Sequence, residues 1–240
     1  MMLYNRLIIF FIIIFSLLMS SNIVSESILT EELKYTVTMK NIVAGESNIS
    51  IYQTSLGNKP VYKIISETRT NKLVDLIYKI RDKVIMLVNR NNYSLLHVTK
   101  KINQGAYIKR YNSIIDYEEL KIFYKGTEIP IDGDVYDPLG IILNLRSQKF
   151  KENSSFSFMS YNKKKLQNIH IIVKGKEVVK VPKGEYNCWI VEPTLESYDV
   201  SEETMKIWIS ADSLALPVKI EKHGKYGTML LSLYDYHKYE

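Results

Sequence analysis

One cysteine in 240 residues, Cys188, means that the chain can close no internal disulfide, so its stability has to come from packing. Histidine is nearly as scarce. His97, His170, His223 and His237 are scattered without a close pair, which denies a metal ion the clustered ligands it needs. The ten glycines stand apart from one another, and none forms the glycine-rich cradle that holds a phosphate ahead of a helix. No Gly-X-Ser-X-Gly occurs, and no nucleophile stands in an obvious setting beside a base. Neither an internal repeat nor a low-complexity linker divides the chain. These absences argue for one domain, against an enzyme and against a bound cofactor.

The N-terminus is ordered as an export signal. Arg6 supplies the charge, Leu7 to Met19 is apolar except for Ser16, and the small residues Ser20, Ser21 and Ser25 follow. About a dozen apolar residues are too few as a helix to cross about 30 Å of hydrocarbon. Cleavage is expected near Ser25, leaving residues 26–240 as a single domain of the periplasm or cell envelope. An uncleaved anchor extending to Val24 is the alternative. No cysteine follows the apolar run, which speaks against a lipid-anchored lipoprotein. The sites Asn48, Asn92 and Asn153, each two residues before a serine, matter only in a eukaryotic secretory route.

What is present is alternation. Met205, Ile207 and Ile209 alternate with Lys206, Trp208 and Ser210, and Leu216, Val218 and Ile220 alternate with Pro217, Lys219 and Glu221. The polar break at Asp212-Ser213 makes this an antiparallel hairpin, with Pro217 near the start of the return strand or at an edge. The same period runs through Leu33–Met39, and further strands are read at Ile49–Tyr52, Val61–Ile65, Leu73–Ile80, Val84–Val88 and Tyr93–Val98. Strands resume at Ser155–Tyr161, Ile169–Val173, Val178–Val181, Tyr186–Val191 and Thr228–Leu233. Turns are expected at Ala44-Gly45, Gly57-Asn58, Gly175-Lys176 and Pro182–Gly184, and between Gly224 and Gly227, with a polar loop over Glu192–Glu203. Hairpins at intervals of about 8–12 residues are the rhythm of an antiparallel sandwich or barrel.

One helix interrupts them. Asp137 is a favoured N-cap and Pro138 fits the first helical position, ahead of Leu139-Gly140-Ile141-Ile142-Leu143-Asn144-Leu145-Arg146. Its apolar residues lie nearly all round, as in a core helix or in a lid over an apolar opening. The expected fold is all-β: a strongly curved antiparallel sheet forming an open barrel or half-barrel, with this short helix packed across it.

Four pieces in order carry a resemblance to a known family. They are Glu32-Leu33-X-Tyr35 leading to Ala44-Gly45, the helix from Asp137 to Arg146, Gly175-Lys176-Glu177 through Pro182-X-Gly184-X-Tyr186, and Ile207-Trp208-Ile209-X-X-Asp212 through Leu216-Pro217-Val218-Lys219. Together they resemble the exported bacterial proteins grouped as domain of unknown function 3108. The resemblance implies export and a β-rich single domain, and lends no reaction. The last hairpin alone is also similar to one in periplasmic lipoprotein carriers, which are open half-barrels with an apolar cavity.

Two sets of residues are candidate sites. Trp208 lies on the opposite face from Ile207 and Ile209, so it is either a second buried face or an exposed contact. With Leu139, Ile142 and Leu143 it forms the expected contact set for an apolar, lipid-like ligand inside the curved sheet. Lys163, Lys164 and Lys165 are the densest point of a basic stretch that holds nine lysines against Glu152 and Glu177. They face membrane headgroups or another envelope polyanion, or else form a solvated edge that blocks strand aggregation. Nucleic acid is not expected for an exported chain. Cys188, alternating with Tyr186 and Ile190, is read as a core residue. The first expectation for function is non-enzymatic binding of an apolar or amphipathic ligand. The alternative is an envelope assembly protein with a solid core and a protein partner.

Overall fold

Alternation places one face of each strand inside. In β1 (Ile28–Met39), Leu33, Tyr35 and Val37 are buried while Lys34, Thr36 and Thr38 turn to the other face. The structure, a computed structural model, describes residues 26–195, 204–224 and 227–239. The apolar segment 1–25, most of the expected loop (196–203) and the tip of the expected Gly224–Gly227 turn lie outside those residues.

From β1 the chain runs as an antiparallel meander through β2 (Ile42–Leu56), β3 (Lys59–Thr70), β4 (Arg81–Asn89), β5 (Leu95–Gln104), β6 (Tyr107–Asp116), β7 (Lys121–Tyr124) and β8 (Thr127–Pro130). On the other side of β1 lies β15 (Gly227–Lys238), with Val37 opposite Leu231. Beyond it come β14 (Pro217–Gly224), β13 (Thr204–Ser210), β12 (Gly184–Leu195), β11 (Lys165–Val181) and β10 (Ser155–Asn162). The short β9 (Val135–Tyr136), parallel to β10, ends the single fifteen-stranded sheet. Glu192–Leu195, read from the sequence as loop, continue β12 and pair with β11.

The sheet curls until its two wings touch through side chains. The Ser113 and Tyr161 hydroxyls meet at 3.0 Å, and Lys100 on β5 reaches Asn162 Oδ1 at 2.9 Å on β10. No strand pairing joins β8 to β9 among the described residues, so the barrel stays open. This is the curved antiparallel sheet that the sequence predicts.

The helix α2 (Pro138–Leu145) forms as expected, and Asp137 Oδ1 accepts from the Leu139 amide at 3.0 Å. It separates two apolar clusters. Leu143 joins the inner one, with Leu33, Tyr35, Ile64, Met86 and Trp208; Ile141 and Leu145 join the outer one, with Ile207 and Ile209. Strand β13 is therefore buried on both faces, one against the sheet interior and one under α2. Each large aliphatic side chain so buried contributes about 1.5–3 kcal/mol.

Three local readings change. Leu73–Ile80, read as a strand, instead begins with the short helix α1 (Lys72–Asp75) and a turn, because the Asn71 side chain caps it by accepting from Leu73 N at 3.1 Å and Val74 N at 3.0 Å. Strands β3 and β4 pair directly below it, with Arg69 opposite Arg81, which leaves the apolar residues of the connection no place in the sheet. The first hairpin turns at Lys40 and Asn41, with φ of 49° and 63°, and not at Ala44-Gly45. Gly45 lies inside β2, where a Cβ would come within 2.0 Å of the Arg69 carbonyl oxygen. Gly175 makes a bulge in a continuous β11, at φ 144°, and not the expected turn.

Candidate functional site

Three of the four ligand residues chosen from the sequence come together in one apolar cluster, and Ile142 does not join them. Trp208 is 3% exposed, its indole N–H donates to the Glu177 carboxylate, and the Lys219 ammonium lies 4.1 Å from its ring centroid. Leu139 and Leu143 pack in the same inner cluster, while Ile142 packs on the outer one. Buried side chains from both wings meet in this inner cluster, among them Ile64, Met86 and Val98 of the first and Tyr161, Val179 and Val218 of the second. Cys188 is fully buried in this cluster, and its thiol is pushed up to about 12 by burial first, then by Asp212 and Glu177. No group of three or more His, Cys, Asp or Glu able to hold a metal ion occurs among the described residues.

The lysine cluster is at the surface. Lys163 and Lys164 form the β10–β11 turn with φ of 48° and 72°, a geometry that usually selects asparagine or glycine. All three lysines are exposed, and the Lys164 ammonium sits 4.7 Å from the Tyr124 ring centroid, beside the β7–β8 turn.

Two clefts open on the surface. The smaller, about 380 Å³, lies beside α2 and is lined by Tyr62, Tyr93, Leu143, Arg146 and Lys238 among others. At its wall Arg146 clamps Glu31 with two bonds of 2.7 and 2.6 Å, and Tyr236 donates to the same carboxylate at 2.7 Å. Burial alone would raise the Glu31 pKa, but Arg146 and Tyr236 outweigh it and hold the carboxyl below its ordinary value. Tyr62 and Tyr93 stack at 5.6 Å.

The larger cleft, about 670 Å³, lies on the outer face beneath α1, between Tyr234, Arg69, Lys72 and Arg81. Arg69 pairs with Glu46 and Arg81 with Asp75. Above it, Leu73, Leu76 and Ile77 are 77%, 84% and 89% exposed. This turn is anchored on both flanks. Asn71 Nδ2 donates to Val43 O at 2.7 Å on the first hairpin, and Tyr78 OH donates to Gln104 O at 3.2 Å on the β5–β6 hairpin. The Gly105 amide also donates to Lys79 O at 2.8 Å. The signal for this surface is present in the sequence: asparagine at a cap position ahead of Leu73-Val74-Asp75-Leu76-Ile77, an apolar run that does not alternate.

The fold defines a class, an open β-barrel-like protein. The chain belongs to the family described as "Protein of unknown function (DUF3108)", which matches residues 34–233. Among solved structures it is similar to the beta-barrel-like protein of domain of unknown function DUF1849 from Brucella abortus, at 9% identity and a TM-score of 0.58, over 90% of this chain and 100% of that one. At that identity the likeness concerns fold alone. No curated protein matches.

Proposed function

We propose that the protein is a non-enzymatic interaction protein of the cell envelope, a rigid β-scaffold that offers the surface around α1 to a partner. The observation that carries this reading is the trio Leu73, Leu76 and Ile77, three large aliphatic side chains on one anchored turn with most of their surface in water. Such exposure costs solvation free energy unless something covers it. The cluster of buried side chains that both wings contribute supports the same choice over a ligand inside the sheet. The buried, proton-retaining Cys188 removes the one thiol nucleophile. The envelope location rests on the order of charge, apolar run and small residues before Glu26.

A photo-crosslinking amino acid placed at Ile77 in the exporting cell tests this reading. The expected result is a discrete adduct at position 77 and none from the same group at Asn58, exposed at the opposite end of the sheet. Equal, diffuse labelling from both positions would overturn it.

The cleft beside α2 supports a second reading. Its volume and its mixed lining of stacked tyrosines, Leu143 and polar groups suit a small amphipathic ligand. Native mass spectrometry of gently purified protein checks this. Extra mass lost on denaturation supports a bound ligand, and a clean apo mass after incubation with envelope lipids rejects it.

A further inference from the structure

We infer that the surface around α1 docks on an anionic lipid bilayer, inserting its aliphatic turn among the headgroups; the inference rests on the interaction-protein reading and names the partner. In an antiparallel meander successive turns fall at alternate ends, so the β1–β2, β3–β4, β5–β6 and β7–β8 connections share one end. The hydrogen bonds from Asn71 to Val43 and from Tyr78 to Gln104 fasten the first three side by side. Each contributes exposed apolar side chains: Ile42 from the first, Leu73, Leu76 and Ile77 from the second, Ile108 from the third.

The charge at this end is predominantly positive. Lys40, Lys72 and Lys79 are exposed on these connections, and Lys109 and Arg110 on the adjoining β6. The acids nearby are held: Asp75 by Arg81, Glu46 by Arg69, and Asp82 by the Asn103 amide and the Gln104 side chain. Lys125 and the Lys163–Lys165 turn extend the same end, joined to it by the contact of Lys164 with Tyr124. Aliphatic side chains that project from a turn, ringed by lysines whose long stems let the ammonium groups rise to the phosphates, match a fluid, negatively charged interface. Tyr78 and Tyr107, half-exposed on two of the connections, suit the level between headgroup and chain.

Vesicle sedimentation of the chain from Glu26 onward, which contains every strand of the sheet, tests the inference. The protein should pellet with phosphatidylglycerol vesicles and stay in solution with phosphatidylcholine vesicles, and added salt should release it. Leu73→Ser/Leu76→Ser/Ile77→Ser should weaken binding at least about tenfold without shifting the melting temperature. Lys72→Gln and Lys79→Gln should each weaken it about fivefold. Failure to bind phosphatidylglycerol vesicles, or equal binding by the triple variant, overturns the inference. If vesicles fail while the group at Ile77 crosslinks one polypeptide in the cell, the interaction-protein reading stands and the membrane assignment falls. If neither reports, both fall.

Discussion

Lys100 and Asp137 form an ion pair of 2.5 Å across the seam of the barrel, with both side chains almost wholly buried. Lys100 belongs to the first wing, and Asp137 is the N-cap of α2 at the start of the second. The same ammonium bonds Asn162 on β10, so one side chain ties three elements that no backbone ladder joins.

Removing that charge should therefore be costly. Lys100→Met keeps the apolar stem and leaves the Asp137 carboxylate buried without its cation. Urea unfolding should show a loss of about 3–5 kcal/mol. A loss below about 1 kcal/mol, the ordinary value for an exposed pair, would mean that the seam is wet.

Gly45→Ala should destabilise the fold by about 3 kcal/mol through overpacking alone. The added methyl would meet the Arg69 carbonyl oxygen and the Thr70 Cα, backbone atoms that cannot swing aside. A melting temperature equal to that of the unaltered chain would show that β2 and β3 do not approach so closely.

Acid should weaken the fold in a defined window. Burial would raise Asp235, but hydrogen bonds from Lys34 and Lys183 and the charge of His237 hold it at about 2, below the ordinary 3.8. Glu31 is held low by Arg146 in the same sense. A carboxyl with a lowered native pKa stabilises above its unfolded pKa, and the unfolded chain takes the proton first as pH falls. Stability should then be full above about pH 5 and decline towards pH 2. Asp235→Asn should flatten that decline in melting temperature, and parallel curves would dismiss the role given to Asp235.

Cys188 should be silent towards thiol reagents in the native state. Its thiolate is disfavoured by burial, and no part of the side chain is open. Ellman's reagent should titrate one thiol in urea and none without it within minutes. Rapid native labelling would place Cys188 outside the core.

Much of the fold was legible because strands with one buried face carry a period of two. Leu33, Tyr35 and Val37 announce β1, and Asp137-Pro138 announces α2, through local rules that tertiary structure did not override. For Trp208 the sequence left two readings open, a second buried face or an exposed contact; it is buried, while Ile207 and Ile209 on the other face share a cluster with Ile141 and Leu145 of α2. What covers the Trp208 face could not be seen, because it depends on how far the distant wing curls. The surface around α1 was missed for a different reason. Leu73–Ile80 is apolar enough to suggest a strand, but Asn71 closes a helical turn and the direct pairing of β3 with β4 excludes the run from the sheet. Gly45 was likewise read as a turn residue, when its use is the absence of a side chain.

The pairing of β1 with β15 has a consequence for how the protein comes into being. The first strand of the described sheet finds its second neighbour in the last, so that edge has no partner until β15 has been delivered. Every other pairing of the described sheet joins strands consecutive in sequence, so this one carries the largest loop-closure cost and should form late. Throughout that wait the unpaired edge of β1 is open to other chains. A chain that emerges vectorially, N-terminus first, must therefore be shielded from its own copies until β15 arrives.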